Sequence, residues 1–411
     1  MITRFLPATL LCLAAASLPA CSDDDSTVTA SGTTSAAGPS SSGSGGAGAG
    51  TTGSAGGGGA GGNGGSGGSA PVGVPFVYVG VDTDEILIYR LDRETGALTF
   101  LDRTDAGPGP SFLAVDPTRR FLYAVNEGSS EIASFAIDPA TGGLTFLNRV
   151  PSGGQGPAHV SVDGTGGYVL AANYGGGSVS VFAVQGDGSL GDALDTYATG
   201  ENAHFVHTDP GNRFAFVPNK GSDTVSQLVF DEGTGALSPN PVPSVATANG
   251  AGPRHLAFHP AGGFAYVINE IDDTMTAYEF DADLGTLAPL LTLPTLPPGA
   301  DGPSNSCADV HPTPDGAFLY GSNRGHDSLV IYALDPVTGL HSLVGHQSTG
   351  GSTPRNFTVD PTGELVLVAN LGSDNVVSFR VDPATGLLTE LITTDLDGSP
   401  SFVGIVLLPG E

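Results

Sequence analysis

Tryptophan is absent from the 411-residue chain, and cysteine occurs three times. Without Trp there is no WD dipeptide of the kind that marks WD40 blades, and no Trp platform on which a sugar could stack. Cations are scarce as well: 13 Lys+Arg face 42 Asp+Glu, for a net charge of −29. Such a chain makes a poor nucleic-acid partner, because phosphate binding needs basic surface to release counterions. Cysteine is too thin for an internal disulfide or a Cys-rich zinc site. Cys12 and Cys21 fall near the N-terminus, which leaves Cys307 alone, more in keeping with core filler than with a nucleophile. What is plentiful is backbone punctuation. Gly 63 and Pro 31 together make 94 residues, a content that disfavours helical bundles. The 39% apolar share still suffices for a core at this length. The expectation is a large, acidic, mostly β protein.

Residues 1–72 read as targeting and tether rather than fold. Met1–Arg4 carries one positive charge, Phe5–Leu18 is apolar, and Leu18-Pro19-Ala20-Cys21 follows. That order is the pattern of a secretory signal, here residues 1–20, and its apolar run is too short to span a bilayer. Cys21 directly after Ala20 resembles a bacterial lipobox, which implies that Cys21 becomes the lipidated N-terminus. Residues 22–72 open on Ser22-Asp23-Asp24-Asp25 and are otherwise mostly Gly, Ser, Ala and Thr without apolar periodicity, the composition of a flexible tether. The expectation is a cell-envelope protein held to a membrane through lipid alone, with its folded domain at 73–411.

Within that domain the sequence repeats. One unit reads Pro110-Ser-Phe-Leu-Ala-Val115, then Phe121-Leu-Tyr-Ala-Val-Asn126, then Ile132-Ala-Ser-Phe-Ala-Ile137, then Gly143-Leu-Thr-Phe-Leu147. Each run is short, apolar or alternating, and bounded by Gly, Pro, Asp or Asn, which is a strand signature. Turn chemistry joins them, as in Asp138-Pro-Ala-Thr-Gly142, echoed at Asp335–Gly339 and Asp382–Gly386. Second strands start at Phe76, Phe121, Tyr168, Phe214, Phe264, Phe318 and Leu365, spaced 45, 47, 46, 50, 54 and 47 residues apart. Four strands per unit at this period predict an all-β, seven-bladed β-propeller. The first unit lacks its inner strand, and Pro400-Ser-Phe-Val-Gly-Ile405 echoes Pro110–Val115. The C-terminal strand is therefore expected to join the first blade and close the ring.

Antiparallel pairing brings the start of each inner strand beside the end of the second, so these positions share one face. At the starts stand Ser111-Phe112, Ala158-His159, His204-Phe205, Arg254-His255, Ala308-Asp309, Arg355-Asn356 and Ser401-Phe402. At the ends stand Asn126-Glu127, Asn173-Tyr174, Asn219-Lys220, Asn269-Glu270, Asn323-Arg324 and Asn370-Leu371. The repeated Asn suits a tight turn in every blade. The residues that break the repeat are better candidates for function. Beyond Arg4 the chain has twelve Lys+Arg, and Lys220, Arg254, Arg324 and Arg355 all fall on this face. Cations gathered at one mouth of an acidic ring suggest a small anionic or carbonyl-bearing ligand.

Gly252-Pro-Arg-His255 with Tyr266-Val-Ile-Asn-Glu270, Ala308–Gly316 with Leu319–Arg324, Thr353–Phe357 and Ala172–Phe182 resemble the seven-bladed lactonase family. That family includes propeller-type 6-phosphogluconolactonases and a fungal carboxy-muconate cyclase, and the similarity runs over about residues 74–408. The resemblance implies lactone hydrolysis, with catalytic groups at His204, Arg254, Glu270 and Arg324, where Arg355 competes with Arg324. His159, Asn173, Lys220, His255, Asp309 and Arg355 are expected to contact substrate. His204 or Glu270 would activate water and Arg254 or Arg324 would stabilise the oxyanion, with no cofactor or metal. A calcium site built from Asn, Asp and Glu is an alternative. So are a muconate-type cyclase or isomerase, and a non-catalytic propeller that binds a ligand or partner. A monomer is expected, and an Arg at a channel mouth is not expected to support core packing.

Overall fold

The computed structural model describes residues 73–300 and 305–409; the leader, Cys21 and the tether lie outside them. Twenty-eight strands, from β1 (Val74–Val81) to β28 (Pro400–Leu408), form seven four-stranded antiparallel sheets. The seven-bladed reading and its closure are both borne out. β28 pairs with β1 from Val74↔Leu408 to Val81↔Pro400, so the last strand of the chain is the inner strand of the first blade.

Local sequence explains the layering. Second strands such as β5 (Phe121–Asn126) and β25 (Leu365–Asn370) are buried at all six positions, because each lies inside its sheet and is covered by blades on both sides. Their apolar runs therefore do not alternate. Outer strands such as β11 (Leu190–Ala198) alternate toward solvent. The core lies between blades: Phe76, Tyr78 and Ile88 of the first pack on Leu122, Ala124 and Phe135 of the second.

Repeated side chains lock neighbouring blades. The Tyr78 hydroxyl donates to the carbonyl of Gly142 (2.8 Å), and the Tyr320 hydroxyl to that of Gly386 (2.9 Å), each in the next blade's outer turn. A buried hydrogen bond of this kind contributes about 1 kcal/mol. The turn needs glycine for two reasons. Gly142 has φ 72, a left-handed conformation costly for other residues. A Cβ there would also stand 2.3 Å from the Phe76 ring.

The fourth blade departs from the pattern. Its inner strand, β12 (His207–Thr208), is two residues long, preceded only by an isolated bridge, Ala203↔Asn219. The partner strand β13 (Phe214–Asn219) contains Pro218, which has no N–H to give to a ladder. His204 thus lies on an irregular segment rather than on the expected strand.

Candidate functional site

The inner strands owe their shared geometry to a β-bulge. In the second blade Pro110 pairs with Asn126 and Phe112 with Val125, so Ser111 is an extra residue. Ala158, Arg254, Arg355 and Ser401 are extra in the same way. A bulge re-aims side chains that would otherwise alternate. In these five blades both members of the sequence pair consequently turn toward the channel, the first to its mouth and the second across its axis.

The second members fill the axis. Phe112 and His159 have ring centroids 4.1 Å apart, His159 and Phe205 4.2 Å, and Phe112 and Phe402 4.9 Å. His255, Asp309 and Asn356 complete the disc: His255 Nδ1 donates to Asp309 Oδ1 at 2.7 Å, and Asn356 Nδ2 donates to Asp309 Oδ2 at 2.6 Å. One residue from every blade therefore plugs the channel. His159 and Asp309, expected to contact substrate at the mouth, belong instead to this plug and line the cavity beneath it. Burial first, and then neighbouring His255, hold the His159 imidazole well below its ordinary range.

Above the plug the first members His204, Arg254, Arg355, Ser111 and Ser401 surround a recess of about 10 Å³. That is no more than one water-sized sphere, too small to enclose a sugar-sized ligand. Glu270 anchors the rim. Its Oε1 lies 2.6 Å from Lys220 Nζ and 3.1 Å from Arg324 Nη2, and its Oε2 lies 3.0 Å from Arg254 Nε. The last contact is out of line for a hydrogen bond, which leaves the buried Arg254 Nε–H without an acceptor. Arg355 approaches Glu127 at 3.7 Å. Four cations thus meet two carboxylates.

Electrostatics alter two expectations. Burial would raise the Glu270 carboxyl, but Arg254, Arg324 and Lys220 outweigh it and bring it to about 2. At neutral pH Glu270 is a clamped carboxylate and a weak base, not the water-activating group considered for it. Arg254 is only 2% exposed, so the notion that it plays no part in packing is also corrected. Burial, reinforced by Arg324 against the pull of Glu270, lowers its guanidinium to about 9, still cationic at neutral pH. His204 is buried with Nδ1 unpartnered. Burial, followed by Arg254 and His255, depresses its pKa well below the usual imidazole range.

The repeated Asn residues serve the frame. Asn126 Nδ2 donates to the Ala106 carbonyl and Asn370 Nδ2 to that of Thr349, each on the preceding blade's outgoing loop. Asn173 is fully buried and donates to Ser178 and Ser180 in its own blade. It does not reach the mouth, because the geometry repeated by Asn in each blade points inward. Glu270 is held by Lys220, Arg254 and Arg324, and a carboxylate already clamped by three cations does not fit a calcium cradle at the mouth. Cys307 is buried, and burial pushes its thiol up, in keeping with core filler.

A wider cavity, about 450 Å³, lies on the opposite side of the plug between Ala114, Val162, Phe258, His207 and His311. Among the described residues no Lys or Arg lines it. Size favours that side and charge the other; a developing oxyanion is stabilised best by cationic donors, and among the described residues Arg254 and Arg324 stand at the rim rather than in the cavity.

The fold and the rim define a propeller with a cationic channel mouth. The sequence model of the seven-bladed β-propeller lactonases matches residues 76–405, and the chain belongs to that family. It is 33% identical over 290 residues to the 6-phosphogluconolactonase of Pectobacterium carotovorum subsp. carotovorum (strain PC1), covering 70% of this chain and 72% of that protein. To the 6-phosphogluconolactonase of Bacillus subtilis (strain 168) it is 34% identical over 286 residues, covering 67% and 68%. The solved periplasmic gluconolactonase of Pseudomonas aeruginosa superposes with a TM-score of 0.76 at 30% identity, covering 82% of this chain and all of that one.

Proposed function

We propose that this lactonase opens its substrate over the recess at the cationic mouth, and that the substrate is an anionic sugar lactone of the 6-phosphogluconolactone class. The observation that carries this reading is the gathering of Lys220, Arg254, Arg324 and Arg355 around Glu270 and Glu127 in a chain of net charge −29. Two more positive than negative groups remain to hold an anion, and arginine forks suit phosphate or carboxylate.

His204 is the imidazole at the recess with an unpartnered nitrogen; both nitrogens of His255 are engaged. In the proposed step His204 accepts a proton from water as the water oxygen bonds to the lactone carbonyl carbon. Arg254 and Arg324 stabilise the oxyanion. The bond from that carbon to the ring oxygen then breaks, and the proton on His204 passes to the departing alkoxide. The product is the hydroxy acid. The depressed His204 pKa makes the imidazole a modest base but its protonated form a strong acid for the leaving group.

A second reading, an unphosphorylated gluconolactone, is favoured by the leader-like residues 1–20 and by the periplasmic neighbour. Lipidation of Cys21 and a monomeric domain at 73–411 in the cell envelope belong to the same proposal. Hydrolysis of 6-phosphoglucono-δ-lactone and glucono-δ-lactone, followed by pH-stat, tests it. A kcat/KM clearly higher for the phosphorylated lactone supports the first reading, and equal values support the second. Hydrolysis of neither overturns both. Cys21→Ser protein that still fractionates with membranes in processed form would remove the lipid anchor from the reading.

A further inference from the structure

Beneath the mouth, a hydrogen-bonded line runs from the plug to the rim. Asp309 is 2% exposed, and five donors converge on its carboxylate. Oδ1 accepts from His255 Nδ1 at 2.7 Å and from the Val310 N–H at 2.9 Å. Oδ2 accepts from Asn356 Nδ2 at 2.6 Å, His311 Nε2 at 3.1 Å and the Phe357 N–H at 3.5 Å. A carboxylate so surrounded can only accept, so His255 must carry its proton on Nδ1. Its Nε2 is then a lone pair, and Arg254 Nη1 donates to it at 3.2 Å. The second proton of Nη1 goes to the Ala308 carbonyl. The whole inner edge of the guanidinium is pinned, and its outer edge is left facing Glu270 and the recess.

The repeat shows that this line is particular to one blade. At the position of His255 three other blades carry Phe112, Phe205 and Phe402. Phenylalanine fills the disc equally well, so packing alone does not ask for histidine here. A phenyl ring can neither accept from Arg254 nor donate to Asp309, whereas an imidazole with its tautomer set from below does both.

We propose that Asp309 and His255 are positioning residues for lactone hydrolysis: Asp309 sets the tautomer of His255, and His255 holds Arg254 in the orientation that stabilises the oxyanion. The proposal rests on the reading of the mouth as the active site. If the tautomer is lost, an N–H faces the N–H of Arg254, and the guanidinium must turn away from the reacting carbonyl.

Four variants of the full-length protein test it, assayed on whichever of the two gluconolactones the wild type hydrolyses. His255→Phe keeps the aromatic disc but has no acceptor; kcat should fall about 10–100-fold, the usual loss when an orienting partner is removed, with KM changed much less. Asp309→Asn should lower kcat similarly, as wrong-tautomer variants do. His255→Gln can both donate to Asp309 and accept from Arg254, and should keep kcat within about threefold of the wild type. That rescue is a result a merely structural role would not give, since Gln packs worse than Phe in an aromatic disc. Arg254→Lys provides the reference for the site itself. If Arg254→Lys is impaired while His255→Phe keeps its kcat, the positioning proposal fails and the site stands. If Arg254→Lys is unimpaired, the site reading fails. Should Asp309→Asn not fold, the contrast between His255→Phe and His255→Gln decides alone: equal activities overturn the proposal.

Discussion

Lys220 Nζ lies 2.6 Å from Oε1 of Glu270, fifty residues further along the chain and one blade around the ring. The contact makes Glu270 a bridge between blades as well as part of the rim, since Arg254 comes from its own blade and Arg324 from the next. Without the carboxylate, three cations would face one another across a mostly buried space.

Glu270→Gln should therefore weaken the fold as well as the site. Removing one partner from a buried ion cluster typically costs about 3–5 kcal/mol, and the side chain is only 12% exposed. Chemical denaturation should show a lower midpoint with an unchanged slope, and turnover should drop as Arg254 and Arg324 move apart. An unchanged midpoint would mean that the cations find other partners.

Acid should destabilise the protein in two separate windows. Burial, then Arg254, lowers His255 to about 4 from an ordinary 6.5, against the pull of Asp309. The unfolded chain binds that proton first, so stability is full above about 6.5 and declines as pH falls toward 4, by at most about 3 kcal/mol for this residue. His159 and His204, also depressed by burial, act in the same direction. Glu270 works lower down. Its folded value of about 2 against an ordinary 4.5 gives stability that is present above 4.5 and lost as pH falls through 2. Urea titrations at pH 7, 5.5 and 4.5 would show the first decline, and His255→Phe should shallow it by about one proton's slope. A slope identical to the wild type's would show that His255 is protonated in the folded state.

Ring closure predicts a severe truncation effect. β28 supplies Val406 and Leu408 to one interblade core and Val403 to another and pairs with β1 along its length. Deleting Pro400–Glu411 exposes the edge of β1 and opens the ring. The truncated protein should be insoluble or melt far below the intact domain. A melting temperature equal to that of the intact chain would contradict the shared first blade.

Much of this architecture was legible in order and spacing alone. A four-strand unit recurring every 45 to 54 residues has few ways to bury its sheets other than by stacking them in a ring, and the echo of Pro110–Val115 at Pro400–Ile405 announced the closure. The cationic face followed from hairpin geometry, which places the starts of inner strands beside the ends of their partners whatever the side chains are. Tertiary structure decided what each side chain does there. A bulge at Arg254 turns two consecutive side chains toward the channel, dividing Arg254 at the mouth from His255 in the plug. A strict two-residue alternation does not contain that division. The acidity of Glu270, the tautomer of His255 and the engagement of Asn173 likewise depend on atoms contributed from elsewhere in the fold. Charge and hydrogen-bond strength act through distance and desolvation, and those exist only once the seven blades have met.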